Sequence, residues 1–430
     1  MTLGFSSLIN VRESGALGEG QTLDTSAIQS CIDSCSAQGG GTVYIPAGQY
    51  LTGSLFLQNN ICLHLDPGAV IVGSENPDDY PIIHSRWEGK HQDTYAPLIT
   101  GQNLNNISVT GRGTIDGRGS IWWKAKEENR LAHPRPRLIS FSDCTNVMID
   151  GITAINSPSW TINPVHCQNV TINAITIINP ADSPNTDGIN PDSCRLVRIS
   201  NCYVSVGDDC ITIKSGTEHE HPDRYAPCHD ITITNCTLER GHGGVVIGSE
   251  MSGGVKNVVI SNCVFIGTDR GIRIKSRRGR GGIIEDIRVS NLIMDSVLCP
   301  FTMNLYYHIG VRGNTDISDK NPQSIDNTTP RIRRIHFSHI TAREVKHAAG
   351  FLYGLAEMPL EDISFSDITI SVSEEADSGY PGMADDIQSM SRAGFFIRNV
   401  RNLRLDHVEI SDQVGDPFDI ADCENVTLIE

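Results

Sequence analysis

The chain has 430 residues, 51 acidic against 34 basic side chains for a net charge of -17, and only 6% aromatics. That balance argues against a nucleic-acid partner and makes any local basic cluster informative. No apolar run is long enough for a membrane-spanning helix, so no membrane partner is expected. The thirteen cysteines are odd in number and never fall in CxxC pairs, so they read as buried thiols. Residues 1–10 lack the basic, apolar and small-residue regions of a signal peptide. The expectation is a cytoplasmic protein, or a secreted one whose leader was trimmed.

Residues 1–90 predict a cap and the first coils. Asp24 is placed to cap a helix, and Ala27, Ile28, Cys31, Ile32 and Cys35 follow at helical spacing, ended by Gly39-Gly40-Gly41. Short strands are expected at Thr42–Pro46, Leu55–Leu57 and Ile61–Leu65, with the helix covering an otherwise exposed sheet end.

From residue 106 one pattern recurs, two apolar residues with single spacers and then Asn, Gly, His or Asp. Its first apolar positions are Ile107, Val147, Val170, Val197, Ile231, Val258, Ile287, Ile335, Ile363, Leu403 and Val426. A fixed unit repeated this often is a solenoid. Short β-branched runs with glycine-rich corners make each unit a coil of strands, and parallel stacking at roughly 4.8 Å gives a β-helix. The expected fold class is all-β, a single-stranded right-handed parallel β-helix with an N-terminal capping helix. The expected organisation is one domain over 1–430, with regular coils from 106 and polar loop insertions near 309–330 and 374–391. Asn201, Asn235, Asn262 and Asn291 share a column and read as an internal ladder beside a thiol stack of Cys202, Cys236 and Cys263.

A second strip keeps the same offsets. Thr212 aligns with Val246 at 34 residues and with Arg273 after 27 more, and Asp187 falls over Asp209. The strip therefore carries Asp187, Asp208 and Asp209, then His242, then Arg273 and Lys275. Glycoside hydrolysis needs one protonated and one ionised carboxyl group, and neighbouring like charges push a pKa upward. Six cations lie between residues 270 and 280, and such a cleft would attract and orient an anionic sugar. By strand parity Asp209 should point inward with Ile211 and Ile213, at a large cost for a carboxylate. The backbone must therefore turn between Asp209 and Ile211.

Asn185-Thr186-Asp187, Gly207-Asp208-Asp209, Gly241-His242-Gly243 and Arg273-Ile274-Lys275 occur in that order, within a resemblance that runs over residues 10–310. With the coil repeat, the chain resembles the polygalacturonases, family 28 of the glycoside hydrolases. The resemblance implies inverting hydrolysis of α-1,4 bonds between galacturonic acids, with an oligogalacturonide as partner and no cofactor or metal. Asp208 would be the general acid, Asp187 and Asp209 would activate the water, and His242 would support the acid. Arg273 and Lys275 would hold the substrate carboxylate, with Asn185, Tyr307 and Arg278 as further substrate ligands. Arg277-Arg278-Gly279-Arg280-Gly281-Gly282 and Trp87-Glu88-Gly89 resemble the exo-acting branch. The alternatives are a rhamnogalacturonan or xylogalacturonan hydrolase, a calcium-dependent pectate lyase, and a non-catalytic β-helix. Trp87, Trp122 and Trp123 read equally as a cleft wall or as packing, and Glu218-His219-Glu220-His221 matches no familiar zinc spacing.

Overall fold

The computed structural model describes residues 7–430, so the first six residues of the expected 1–430 domain lie outside the described residues. The fold is a right-handed parallel β-helix with an N-terminal capping helix. The helix, Thr25–Ala37, buries Ile28, Cys31, Ile32 and Cys35 as one stripe. That stripe packs on the strands Ser7–Asn10, Gly41–Ile45, Leu55–Phe56 and Ile61–Leu65. Ile28 and Ile32 each contribute about 1.5–3 kcal/mol by burial, so Ile32→Asp would free the cap. Asp24 precedes the helix but does not cap it with its side chain. Its carboxylate accepts the backbone N–H groups of Leu17 at 2.7 Å and Gly18 at 3.0 Å. The incoming loop competes for the carboxylate and wins.

The chain divides into two compact units, Met1–Trp87 with His91–Asp208, and Glu88–Lys90 with Asp209–Glu430. In the first, parallel strands stack Ile107 on Val147, Val147 on Val170 and Val170 on Val197. In the second, the column runs Ile231, Val258, Ile287, Ile335, Ile363, Leu403 and Val426. Every recurring apolar position within each unit therefore pairs with its counterpart, and residues inserted between repeats leave as loops. The asparagine column is a correction. Asn201, Asn235, Asn262 and Asn291 are exposed and have φ of 55–57°. They occupy the left-handed corner that Asn tolerates better than most side chains, outside the core rather than within it. The thiols that follow, Cys202, Cys236 and Cys263, are buried as expected.

A hairpin of Ile82–Trp87 and Lys90–Tyr95 and a helix over Ser120–Glu127 interrupt the coils. Trp122 packs edge-on against Tyr80 and Tyr95, each at 5.2 Å, and Trp87 stacks on Trp160 at 5.2 Å. Packing is thus the role the structure gives both tryptophans.

In the second unit a seven-stranded parallel sheet carries the chemistry. Its strands are Asp209–Ile213, Gly243–Ile247, Arg270–Lys275, Cys299–Asn304, Ala348–Tyr353, Ala393–Arg398 and Phe418–Ala421. Thr212 pairs with Val246 and Val246 with Arg273, the register expected from the 34- and 27-residue offsets.

Candidate active site

In the first unit, Asp187 is 3% exposed, and its Oδ2 accepts the Asn190 side-chain N–H at 2.9 Å. Asp208 is half-buried, and one of its carboxylate oxygens lies within 4.8 Å of one on Asp187. Gly207 brings Asp208 there. A Cβ at that position would strike the carbonyl oxygens of Pro180 and Ser183, so only glycine lets the chain pass. Asn185 does not stand open for a ligand. Its Oδ1 accepts Arg135 Nη2 at 2.8 Å and the Lys126 ammonium.

In the second unit, Asp209 is 1% exposed and takes Lys275 Nζ at 2.8 Å and Arg273 Nη1 at 3.4 Å. The turn expected between Asp209 and Ile211 is a correction: Asp209–Ile213 is one continuous strand, paired in constant register with Gly243–Ile247. Asp209 stays buried with Ile211 and Ile213, and the two cations beside it offset the cost of burying its charge. Gly243 keeps the passage clear, because a Cβ there would sit 3.2 Å from Asp209 Oδ1 and against Val246. His242 is exposed, and its carbonyl accepts Arg273 Nη1 at 3.5 Å. Tyr307 lies against Lys275, whose Nζ is 5.5 Å from the ring centroid. Arg273 and Lys275 against Asp209 leave one net positive charge.

The rest of the basic cluster is spent elsewhere. Arg270 donates to the carbonyls of Tyr380 and Pro381, and Arg277 and Arg280 bind Glu218. Arg278, expected to contact substrate, is not brought to Asp209. It forms a fork on Glu357 at 2.6 and 2.9 Å and reaches the carbonyls of Asp316 and Asp319. Four cations thus hold loops, and two stand at the carboxylates.

Sequence reasoning missed a buried pair beside this strip. Lys214 Nζ lies 2.9 Å from Glu250 Oε2. Burial works to raise the Glu250 pKa, but Lys214, Arg280 and Lys275 outweigh it and bring it down to about 2. Lys214 stood in the same column as Lys275, which was the available signal; its acidic partner follows a glycine corner with no pattern of its own. Arg86, in the hairpin, likewise pairs with Asp192 at 2.8 Å with both side chains 2% exposed.

Asp208 ends the first unit and Asp209 begins the second. One peptide bond therefore joins the Asp187–Asp208 carboxyl pair to the Asp209–Lys275–Arg273 cluster, and consecutive Cα atoms are about 3.8 Å apart. The first unit thus contributes a pair of neighbouring carboxyl groups, and the second a carboxylate flanked by two cations.

A family model described as glycosyl hydrolases family 28 matches residues 35–380, which contain all four motifs. A probable polygalacturonase of Vitis vinifera is 36% identical over 387 residues, covering 88% of this chain and 77% of that protein. An exo-poly-alpha-D-galacturonosidase of Dickeya chrysanthemi is 30% identical over 348 residues, 69% of this chain and 56% of its own length. Among solved structures, a hyperthermoactive exopolygalacturonase of Thermotoga maritima aligns with a TM-score of 0.77 and 29% identity, over 93% of this chain and 92% of that one. The match over most of the chain agrees with the carboxylate and cation strip: the protein belongs to family 28 of the glycosyl hydrolases and is an enzyme of the polygalacturonase family.

Proposed function

We propose that the enzyme removes galacturonic acid units from the ends of oligogalacturonides, cleaving α-1,4 bonds with inversion. The observation that carries this reading is the pair Asp187–Asp208, joined through one peptide bond to a carboxylate that two cations flank with a net charge of +1. Asp208, the more exposed of the three aspartates, protonates the leaving oxygen. Asp187 and Asp209 orient and deprotonate the water, and His242 supports the acid. Arg273 and Lys275 hold the carboxylate of the sugar. The named activities of the Dickeya and Thermotoga relatives support exo action.

The carboxyl spacing invites a second reading. Retaining enzymes hold their two carboxyl groups about 5–5.5 Å apart and inverting ones about 6.5–9.5 Å, so an approach within 4.8 Å, taken alone, fits retention. Two facts favour inversion here. A third carboxylate is adjacent, so two can share a water, and Asp187 is buried against Asn190, a poor posture for a nucleophile. Proton NMR of the first released sugar decides, with the β anomer expected before mutarotation. Appearance of the α anomer first would overturn the inverting assignment. New ultraviolet-absorbing unsaturated ends would overturn hydrolysis itself.

A further inference from the structure

The insertion at residues 309–330 carries a lysine in an unusual position. Lys320 Nζ is buried and has no hydrogen-bond partner, although an ammonium offers three donors and buried polar groups are nearly always paired. It stands 3.6 Å from the centroid of the Tyr306 ring and 5.1 Å from that of Tyr353. We propose that Lys320 is a proton-sensitive latch: the insertion closes over Tyr306 when this amine is neutral and loosens when it takes up a proton.

The latch sits beside the cations of the second unit. Tyr306 and Arg277 form an antiparallel bridge, and the Tyr307 N–H donates to the Ser276 carbonyl at 3.0 Å. This stretch therefore lies along the residues that follow Lys275, and Tyr307 itself rests against Lys275. Arg278 holds the insertion on either side of Lys320, through the carbonyls of Asp319 at 2.6 Å and Asn321 at 3.3 Å. With the backbone fixed at both neighbours, the lysine stem is delivered to the rings rather than to water.

The balance of forces at Nζ decides the direction of the effect. Two ring faces attract an ammonium, and so do Asp386 and Asp385 from the facing loop and Asp319 from its own. Arg278, 5.4 Å from the same Tyr306 ring, repels it, although the fork on Glu357 takes up part of that charge. Loss of hydration is the larger opposing effect, because the rings displace water without accepting a hydrogen bond from the ammonium. Burial, aided by Arg278, prevails over the three aspartates and brings Lys320 down from an ordinary 10.5 to about 8.

The closed insertion thus binds this proton more weakly than an open one does. Closure is weakest below pH 8, tightens as pH rises from 8 toward 10.5, and levels off above that. A contact held by the attraction of cation for ring would behave in the opposite way, since removing its charge would loosen the insertion.

Hydrogen exchange followed by mass spectrometry tests this on the native protein without substrate, so its outcome is independent of the sugar that the enzyme cleaves. Exchange in residues 309–330 is measured from pH 7 to pH 9 and corrected for the intrinsic pH dependence of the amide. Native protection should rise about tenfold over that range, while the strand Arg331–Val345 stays constant. Lys320→Met keeps a stem without the amine; its protection should not vary with pH and at pH 7 should equal or exceed the native value. A native insertion whose protection does not change with pH overturns the latch, and that series decides even if the variant fails to fold. So does a Lys320→Met insertion less protected than the native one at pH 7, or a rise shared equally by Arg331–Val345.

Discussion

Lys275→Met removes the ammonium and keeps the stem, and the structure dictates what should follow. At an effective dielectric near 20, unit charges separated by 2.8 Å attract by about 6 kcal/mol and by 3.4 Å about 5 kcal/mol. Arg273 therefore still neutralises Asp209 when Lys275 is gone. Fully orphaning a buried charge costs about 3–5 kcal/mol; with Arg273 in place the loss of folding stability should be nearer 1–2 kcal/mol. The effect on substrate is larger, because the Asp209–Arg273–Lys275 cluster falls from a net charge of +1 to zero. Truncating one partner of a desolvated charge pair costs about 2–5 kcal/mol, roughly thirtyfold to several thousandfold in affinity. The assay compares initial rates on trigalacturonate and on its methyl ester. The native enzyme should prefer the acid, and the variant should lose most of that preference through KM. A variant that unfolds more easily yet keeps the native acid-to-ester ratio would show that Lys275 serves Asp209 alone, and the reasoning would fail.

Asp208→Asn should lower turnover on galacturonides by about 10²–10⁴ while sparing a substrate whose leaving group needs no protonation; equal losses on both would remove Asp208 as the acid. Glu250 titrates near 2 in the folded protein against an ordinary 4.5, so its contribution is full above about 4.5 and is lost as pH falls toward 2. That shift corresponds to an upper bound of about 3 kcal/mol, and Glu250→Gln should lower stability at neutral pH and flatten the acid limb of a urea-unfolding series; an unchanged limb refutes it. Arg278→Lys keeps the charge but loses the fork on Glu357, so limited proteolysis should cut faster between residues 309 and 330 with little change in KM. A large rise in KM with unaltered proteolysis would return Arg278 to the substrate.

The stacking was readable because one unit repeats. A side chain that must meet its own kind on the next coil leaves a period in the sequence, and the column from Ile231 to Val426 follows that period across loops of unequal length. The turn expected after Asp209 was wrong for a different reason. An aspartate in phase with Ile211 and Ile213 looked too costly to bury, but Arg273 and Lys275, distant in sequence, neutralise it, so the strand runs on unbroken. The asparagine column was placed correctly in register but wrongly in depth. Periodicity reports which residues align, whereas the left-handed corner that carries them outward is a backbone property.

The hairpin at Ile82–Tyr95 and the helix at Ser120–Glu127 interrupt the period and so escaped it, although Glu88-Gly89 between polar-apolar runs marked a turn. What sequence alone determined was the repeat, its register and the order of carboxylates, histidine and cations along one strip. Only the tertiary structure decided which cations face the carboxylates. Arg273 and Lys275 meet Asp209 through the strand register, but Arg270, Arg277, Arg278 and Arg280 were claimed by Tyr380, Glu218 and Glu357. Those partners lie in loops far away along the chain, and a buried guanidinium goes to whichever acceptors the fold brings within hydrogen-bond reach.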